Sequence, residues 1–225
     1  MSPLLARSRE ELRDHLLKVG ELSARLAEDL RLGFGELARI AGLLHDLGKG
    51  DAGAQERYAS GRGAAGHEIV SFAVAREVLE ALGLPKDDAS LVLLAILKHH
   101  QAMTSPAERL DQLVKYGWFK GRADLEALSS IISLGLGQPI RITKWPRNTS
   151  ELEQLVAITW EKYCRCLYAD LGAQLRARLL TGILIAADYH VASKSEDPSG
   201  RNRLSAELEH FFESLKKLRR EVEIP

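Results

Sequence analysis

The chain has 225 residues, 45% of them hydrophobic, enough to bury a sizeable core and form a folded, soluble domain. Its 31 basic and 31 acidic residues cancel with histidine neutral, which excludes a global positive field for drawing in a polyanion, so any nucleic-acid contact must come from local patches. No stretch reaches the roughly 18 uninterrupted apolar residues of a spanning helix, and no apolar run follows Arg7, Arg9, Glu10 and Glu11; a cytoplasmic protein without membrane contact is expected.

Ser8 followed by Glu11 has the spacing of a helix capping box. Leu12, His15, Leu16, Val19, Leu22, Leu26 and Leu30 then recur at helical spacing, predicting a first helix that ends near Gly33. A second helix is expected from Glu36 to Leu47, with Leu37, Ile40, Ala41 and Leu44 inward and His45 and Asp46 in its last turn. Residues 50–66, rich in Gly and Ala, read as a loop, and His67 opens the next helix, which stops at Gly83 before Pro85. A helix capped near Asp87 or Asp88 ends in Ile96-Leu-Lys-His-His100. Between 105 and 150 the pattern weakens to two shorter helices. Residues 134–143 then read as a loop or short extended piece, an irregular insertion of about 103–150.

Helical periodicity returns over Glu151 to Asp170, Leu175 to Val191 and Leu204 to Leu218, with Leu208, Phe211, Phe212 and Leu215 on one face of the last. The expected fold is all-α, one domain over residues 1–225. Cys164 and Cys166, two apart in a helical pattern, point to nearly opposite faces, as reduced core residues would.

Five of the seven histidines fall into an ordered series with two aspartates: His15, His45-Asp46, His67, His99-His100 and Asp188. Imidazoles and carboxylates together bind borderline and hard divalent ions, and a carboxylate has two oxygens with which to bridge two of them. Asp46 is the natural bridge. His15, His45 and Asp188 would complete one position; His67, His99 and His100 would furnish a second. Mixed ligation of this kind suits Mn²⁺, Co²⁺, Ni²⁺, Fe²⁺ or Zn²⁺, with Mg²⁺ a poorer match to many imidazoles. Asp188, within Ile183-Leu-Ile-Ala-Ala-Asp188, would be a costly buried carboxylate unless paired. His190 and His210 lack such context and are not expected to be ligands.

Several of these residues also have ordinary readings. His99 and His100 could be helix C-terminal histidines favoured by the macrodipole, Lys49 a cation at a helix end, and Ser71 a back-bonded hydroxyl.

The early His15, the block Leu43-Leu-His-Asp-Leu-Gly-Lys49, the segment His67-Glu-Ile-Val-Ser71, the His99-His100 doublet and Ala187-Asp188 with Ser193 close behind carry a resemblance. The chain resembles the HD superfamily of metal-dependent phosphohydrolases, an HD-domain helical bundle, and more narrowly the HD nuclease of type I CRISPR interference systems. That resemblance implies a nuclease acting mainly on single-stranded DNA with one or two divalent metals. It lacks the helicase part to which many relatives are fused, so the helicase is expected on a separate chain with a CRISPR surveillance complex upstream. Gly42-Leu-Leu-His-Asp-Leu-Gly48-Lys49-Gly50 departs from a phosphate-binding loop by an extra residue and by Gly where Ser or Thr should stand, so no ATP site is expected.

In the expected hydrolysis Asp46 holds metal and Lys49 contacts the scissile phosphate or assists the leaving group, while Ser71 and Ser193 orient a ligand or touch phosphate. For DNA contact, Lys115, Trp118, Phe119, Lys120 and Arg122 interleave base and aromatic, as do Arg141, Lys144, Trp145 and Arg147, a mixture suited to single strands. The competing reading is a packed surface helix and a solvated loop. Lys216-Lys-Leu-Arg-Arg220 reads as a solvated helix face, with docking to a helicase as the alternative. Two other functions stay open: an HD nucleotide phosphohydrolase acting on small molecules, and a non-catalytic docking subunit.

Overall fold

The protein is described by a computed structural model covering residues 3–100, 106–165, 167 and 170–196. The expected helix at 204–218, the run 216–220, His210 and Cys166 lie outside the described residues. The chain opens with a short antiparallel hairpin, β1 (Leu5–Arg7) and β2 (Glu10–Glu11). Nine α-helices follow among the described residues: α1 (Leu12–Asp29), α2 (Gly35–Leu44), α3 (Ala52–Ala59), α4 (His67–Ala81), α5 (Lys86–Lys98), α6 (Pro106–Tyr116), α7 (Leu125–Leu136), α8 (Thr149–Thr159) and α9 (Leu171–Glu196). A 3-10 turn, Leu47–Gly50, joins α2 to α3, and a π-turn, Trp160–Cys164, extends α8. The expected all-α architecture is what the chain adopts. No helix among the described residues is long and apolar enough to cross a membrane.

Helix α1 buries Leu12, His15, Leu16, Val19 and Leu26, the stripe that its periodicity predicts, against α2 and α9. Helix α5 lies between α4 and α9 and also touches α2, so α1, α2, α4, α5 and α9 enclose one core. Helix α4 is buried on every side over residues 67–75 and supplies Ile69, Val70, Phe72, Val78 and Leu79 to it. Two close approaches set the geometry. A Cβ on Gly42 would lie 2.6 Å from Gly20 Cα, so α1 and α2 cross with their backbones in contact. A Cβ on Gly48 would lie 2.1 Å from the His67 carbonyl, so only glycine lets the 3-10 turn rest on the first residue of α4.

Several expected boundaries differ from the structure. Ser8 is not a helix cap: it lies in the hairpin turn, and α1 starts at Leu12, whose N–H donates to the Leu4 carbonyl at 2.7 Å. The pairing of β1 with β2 takes the residues that a capping box would have used. Helix α2 stops at Leu44, three residues short of the expected end, because Asp46 (φ −110°, ψ 15°) leaves helical conformation and the chain tightens into the 3-10 turn.

Part of the expected loop 50–66 is α3, capped by the Asp51 side chain accepting from Gly53 N–H at 2.9 Å. Helix α5 begins after Pro85 without a side-chain cap, leaving Asp87 and Asp88 in the first turn, where the macrodipole favours them. Residues 134–136 are the last turn of α7, and 138–143 run without regular structure. Asn148 caps α8, accepting from Glu151 N–H at 2.9 Å.

Gly42→Ala is expected to force α1 and α2 apart and cost about 1–3 kcal/mol. Chemical denaturation of the variant should show a lowered midpoint with an unchanged m-value.

Candidate metal centre

All seven sequence-selected His and Asp residues converge on one point in the core. His15 comes from the first turn of α1, His45 from the C-terminus of α2, Asp46 from the junction that follows, His67 from the first position of α4, His99 and His100 from the end of α5, and Asp188 from the middle of α9. His15, His45 and Asp46 are fully buried; Asp188 and His99 are nearly so. The donors form two groups: His15, His45, Asp46 and Asp188, and Asp46, His67, His99 and His100, with the ligand atoms of each within 4.8 Å of one another. Asp46 belongs to both. Its Oδ2 lies 3.2 Å from His15 Nε2 and 3.3 Å from His45 Nε2, and its Oδ1 lies 2.8 Å from His67 Nε2 and 3.6 Å from His99 Nε2. Asp188 Oδ1 is 3.2 Å from His15 Nε2 and 3.7 Å from His45 Nε2.

Main-chain carbonyls aim the imidazoles. The last carbonyls of a helix lack intrahelical partners, and two histidines use them: His45 Nδ1 is 2.7 Å from Gly42 O and His99 Nδ1 is 2.6 Å from Ile96 O. His67 Nδ1 is 2.7 Å from Ala64 O, in the turn before α4. A carbonyl only accepts, so each Nδ1 donates to it and each Nε2 is the ring atom aimed at Asp46. Behind His15, Glu10 Oε2 lies 3.3 Å from Nδ1, a carboxylate in the same orienting position. His100 Nε2 and His67 Nε2 stand 3.0 Å apart. His99 and His100 are therefore both helix-terminal residues and members of the cluster.

The chemistry of the cluster fits a cation. The Nε2 atoms of His15, His45 and His99, both Asp46 oxygens and Asp188 Oδ1 are buried and lack a hydrogen bond of proper geometry, although they crowd together. Buried polar atoms in this state are costly, and a divalent ion among N and O donors would satisfy them.

Burial disfavours the Asp46 carboxylate, but His45, Lys49, His67 and His15 outweigh it and hold its pKa well below the usual range; Asp188 is held down likewise by His15 and His45. Burial lowers the His15 pKa, yet Asp188, Asp46 and Glu10 overcome it and push the group up to about 10; His45 is also raised, mainly by Asp46 against burial. In the second group burial lowers His99, and burial with His99 and His67 lowers His100 strongly, so these rings are neutral and ready to ligate.

Lys49 Nζ sits 2.5 Å from Asp46 Oδ2 and faces the Tyr58 ring at 5.8 Å. Lys49 lies in the 3-10 turn Leu47–Gly50, which brings it back to Asp46. The Ser71 hydroxyl accepts from Gly48 N–H at 2.8 Å and donates to His67 O at 3.1 Å, pinning the turn to α4. The Ser193 hydroxyl donates to His190 O at 2.9 Å. An open cleft of about 600 Å³ leads to the centre, with Arg7, Lys49, Tyr58, Arg62, His67 and His100 among its walls.

None of the residues selected for DNA contact lines this cleft. Trp118 corrects its expectation: it is 4% exposed and its Nε1 donates to Ala65 O at 2.9 Å, so its ring supports the cleft wall from behind and offers no face to a base. Phe119 packs edge-on to Trp118, and the half-buried Trp145 donates from Nε1 to Asp51 Oδ2 at 3.3 Å. Lys120 pairs with Glu56 and Arg147 with Glu151, while Lys115, Arg122, Arg141 and Lys144 are exposed.

Sequence reasoning missed Arg7 and Glu10, which only the hairpin brings to the centre, and Asp51. The buried Asp51 carboxylate accepts from Gly53, Lys120 and Arg122 N–H, tying α3 to the loop before α7. Its place two residues after Lys49 was the one available signal.

A match to the HD domain family spans residues 12–134, more than half of the chain, and the protein belongs to that family. It is thus a metal-dependent hydrolase. Among solved structures it is similar to the CRISPR-associated Cas3 HD domain protein of Methanocaldococcus jannaschii, with 19% identity, a TM-score of 0.54, and coverage of 84% of this chain and 100% of that one. No curated protein matches the sequence.

In metal-free protein the raised His15 pKa contributes stability that is fully present below about 6.5, the unfolded value, and is lost as pH rises through about 10. The depressed Asp46 and Asp188 values contribute stability above the unfolded value of 3.8 that is lost in acid. Denaturation in EDTA should therefore give a stability that declines from pH 6.5 to 10, whereas Mn²⁺ affinity should rise over the same interval as protons leave the ligands.

Proposed function

We propose that the protein is a metal-dependent HD nuclease that hydrolyses phosphodiester bonds, mainly of single-stranded DNA, in CRISPR interference. The observation that carries this reading is the Asp46 carboxylate, whose two oxygens face two separate sets of imidazoles. In this reading His15, His45, Asp46 and Asp188 would hold one divalent metal, and Asp46, His67, His99 and His100 would hold a second. Bound metals would supply Lewis-acid activation of the phosphate and of the attacking water.

The chain's own residues do the rest. Asp46, common to both donor groups, would be shared between the two positions. Lys49, held against Asp46 and open to the cleft, places its ammonium where the scissile phosphate or the leaving oxygen would lie. Gly42, Ala64 and Ile96 carbonyls keep the rings of His45, His67 and His99 from turning, and Ser71 holds the Lys49-bearing turn on α4. The cleft is open, which suits a strand passing over the centre better than a closed pocket for a free nucleotide. The exposed Lys115, Arg122, Arg141 and Lys144 would track outlying backbone phosphates. A separate helicase subunit and a surveillance complex would supply the unwound strand, the likeness to the archaeal CRISPR-associated HD protein being the support for that setting.

Incubation with end-labelled single-stranded DNA, and separately with nucleotides, across Mn²⁺, Co²⁺, Ni²⁺, Fe²⁺, Mg²⁺ and Zn²⁺, is expected to give metal-dependent DNA cleavage. EDTA should abolish it, and Asp46→Ala should reduce it by about a hundredfold or more. Phosphate release from nucleotides with intact DNA would instead identify a small-molecule phosphohydrolase.

A further inference from the structure

The hairpin that precedes α1 lies outside the segment matching the HD family, yet it reaches the first metal position from two sides. Glu10 stands behind His15, and Arg7, the last residue of β1, extends its guanidinium to 3.7 Å from Asp188 Oδ1. The Arg7 side chain is 24% exposed and lines the same cleft as Lys49, His67 and His100.

Its mount is rigid and shared with Lys49. Gln55 of α3 accepts from Leu5 N–H at 2.8 Å, and its amide donates to Leu5 O at 2.9 Å and to Lys49 O at 2.7 Å. One side-chain amide thus straps β1 to the turn that carries Lys49. Between Leu5 and Arg7, Ala6 is fully buried, which fixes the strand.

We propose that Arg7 is a phosphate-binding residue of the active site, paired with Lys49 through Gln55 and gripping the non-bridging oxygens of the substrate phosphate. This rests on reading the centre as a phosphoester-hydrolysing site. Charge supplies the argument: a divalent cation held by Asp188 and its neighbours would compete with the Arg7 guanidinium for that carboxylate, and an anion arriving against both positive charges would offset their repulsion. The cleft is where such an anion arrives. A guanidinium presents a planar fork that matches two phosphate oxygens, while the Lys49 ammonium acts as a point charge.

The test is calorimetric titration of inorganic phosphate into Mn²⁺-loaded wild type, Arg7→Ala and Arg7→Lys, with Mn²⁺ affinity measured on each and folding checked by circular dichroism. Arg7→Ala should weaken phosphate binding about tenfold with Mn²⁺ affinity undiminished, and Arg7→Lys should recover part of the loss, because it keeps the charge without the fork. Equal phosphate affinity in wild type and Arg7→Ala, no phosphate binding by loaded wild type, or a loss of Mn²⁺ affinity in step with that of phosphate would overturn the proposal. The last result would make Arg7 a structural partner of Asp188. Arg7-dependent phosphate binding by a protein that leaves single-stranded DNA intact would sink the nuclease reading while keeping the phosphate site.

Discussion

A carboxylate with no access to water sits at the middle of this protein, and the arrangement of the surrounding helices answers to it. Burying an ionised group is among the costliest things a fold can do unless partners surround it. Asp46 has four imidazoles and one ammonium within 3.6 Å of its two oxygens. Those partners come from α1, α2, the 3-10 turn, α4 and α5, so removing any one element would leave the charge exposed to its own desolvation. The same crowding leaves buried donor atoms without proper hydrogen bonds, which a cation among them would satisfy.

Helix ends serve as the mounts. A ligand in mid-helix can only project sideways, whereas the final carbonyls of a helix are free to take the Nδ1 proton of a histidine three residues later. His45 and His99 use this device, and His67 uses the equivalent carbonyl just ahead of α4. Ring orientation is thereby transmitted from the backbone, which is itself fixed by the contacts at Gly42 and Gly48. A larger residue at either glycine would move a ligand-bearing helix end, not merely disturb packing.

The two halves of the centre differ in character. One has two carboxylates, whose field holds protons on His15 and His45 when no metal competes; the other is rich in neutral imidazole. The carboxylate-rich half suits harder ions and the imidazole-rich half borderline ones. The cleft reaches both through Lys49, His67 and His100, and the hairpin adds Arg7 and Glu10 to the carboxylate-rich half alone.

The all-α class, the buried stripe of α1 and the seven clustered His and Asp residues were legible in the chain, because helical periodicity is a local signal and metal-binding side chains are few and distinctive. The place of Asp46 between two sets of donors was readable too, since a carboxylate has two oxygens to share between them. What stayed hidden depended on neighbours distant in sequence. Ser8 and Glu11 have the spacing of a helix cap, but pairing of β1 with β2 makes them a hairpin. Trp118 and its flanking cations look like a nucleic-acid surface, but the ring fills the space behind Ala65. Gln55, in a stretch that reads as a loop, straps β1 to Lys49. Residue chemistry and helical period are written locally and survive in the sequence alone. Which face is buried, which carbonyl aims a ring and which cation reaches the cleft are set by contacts between distant segments, and only the folded chain decides them.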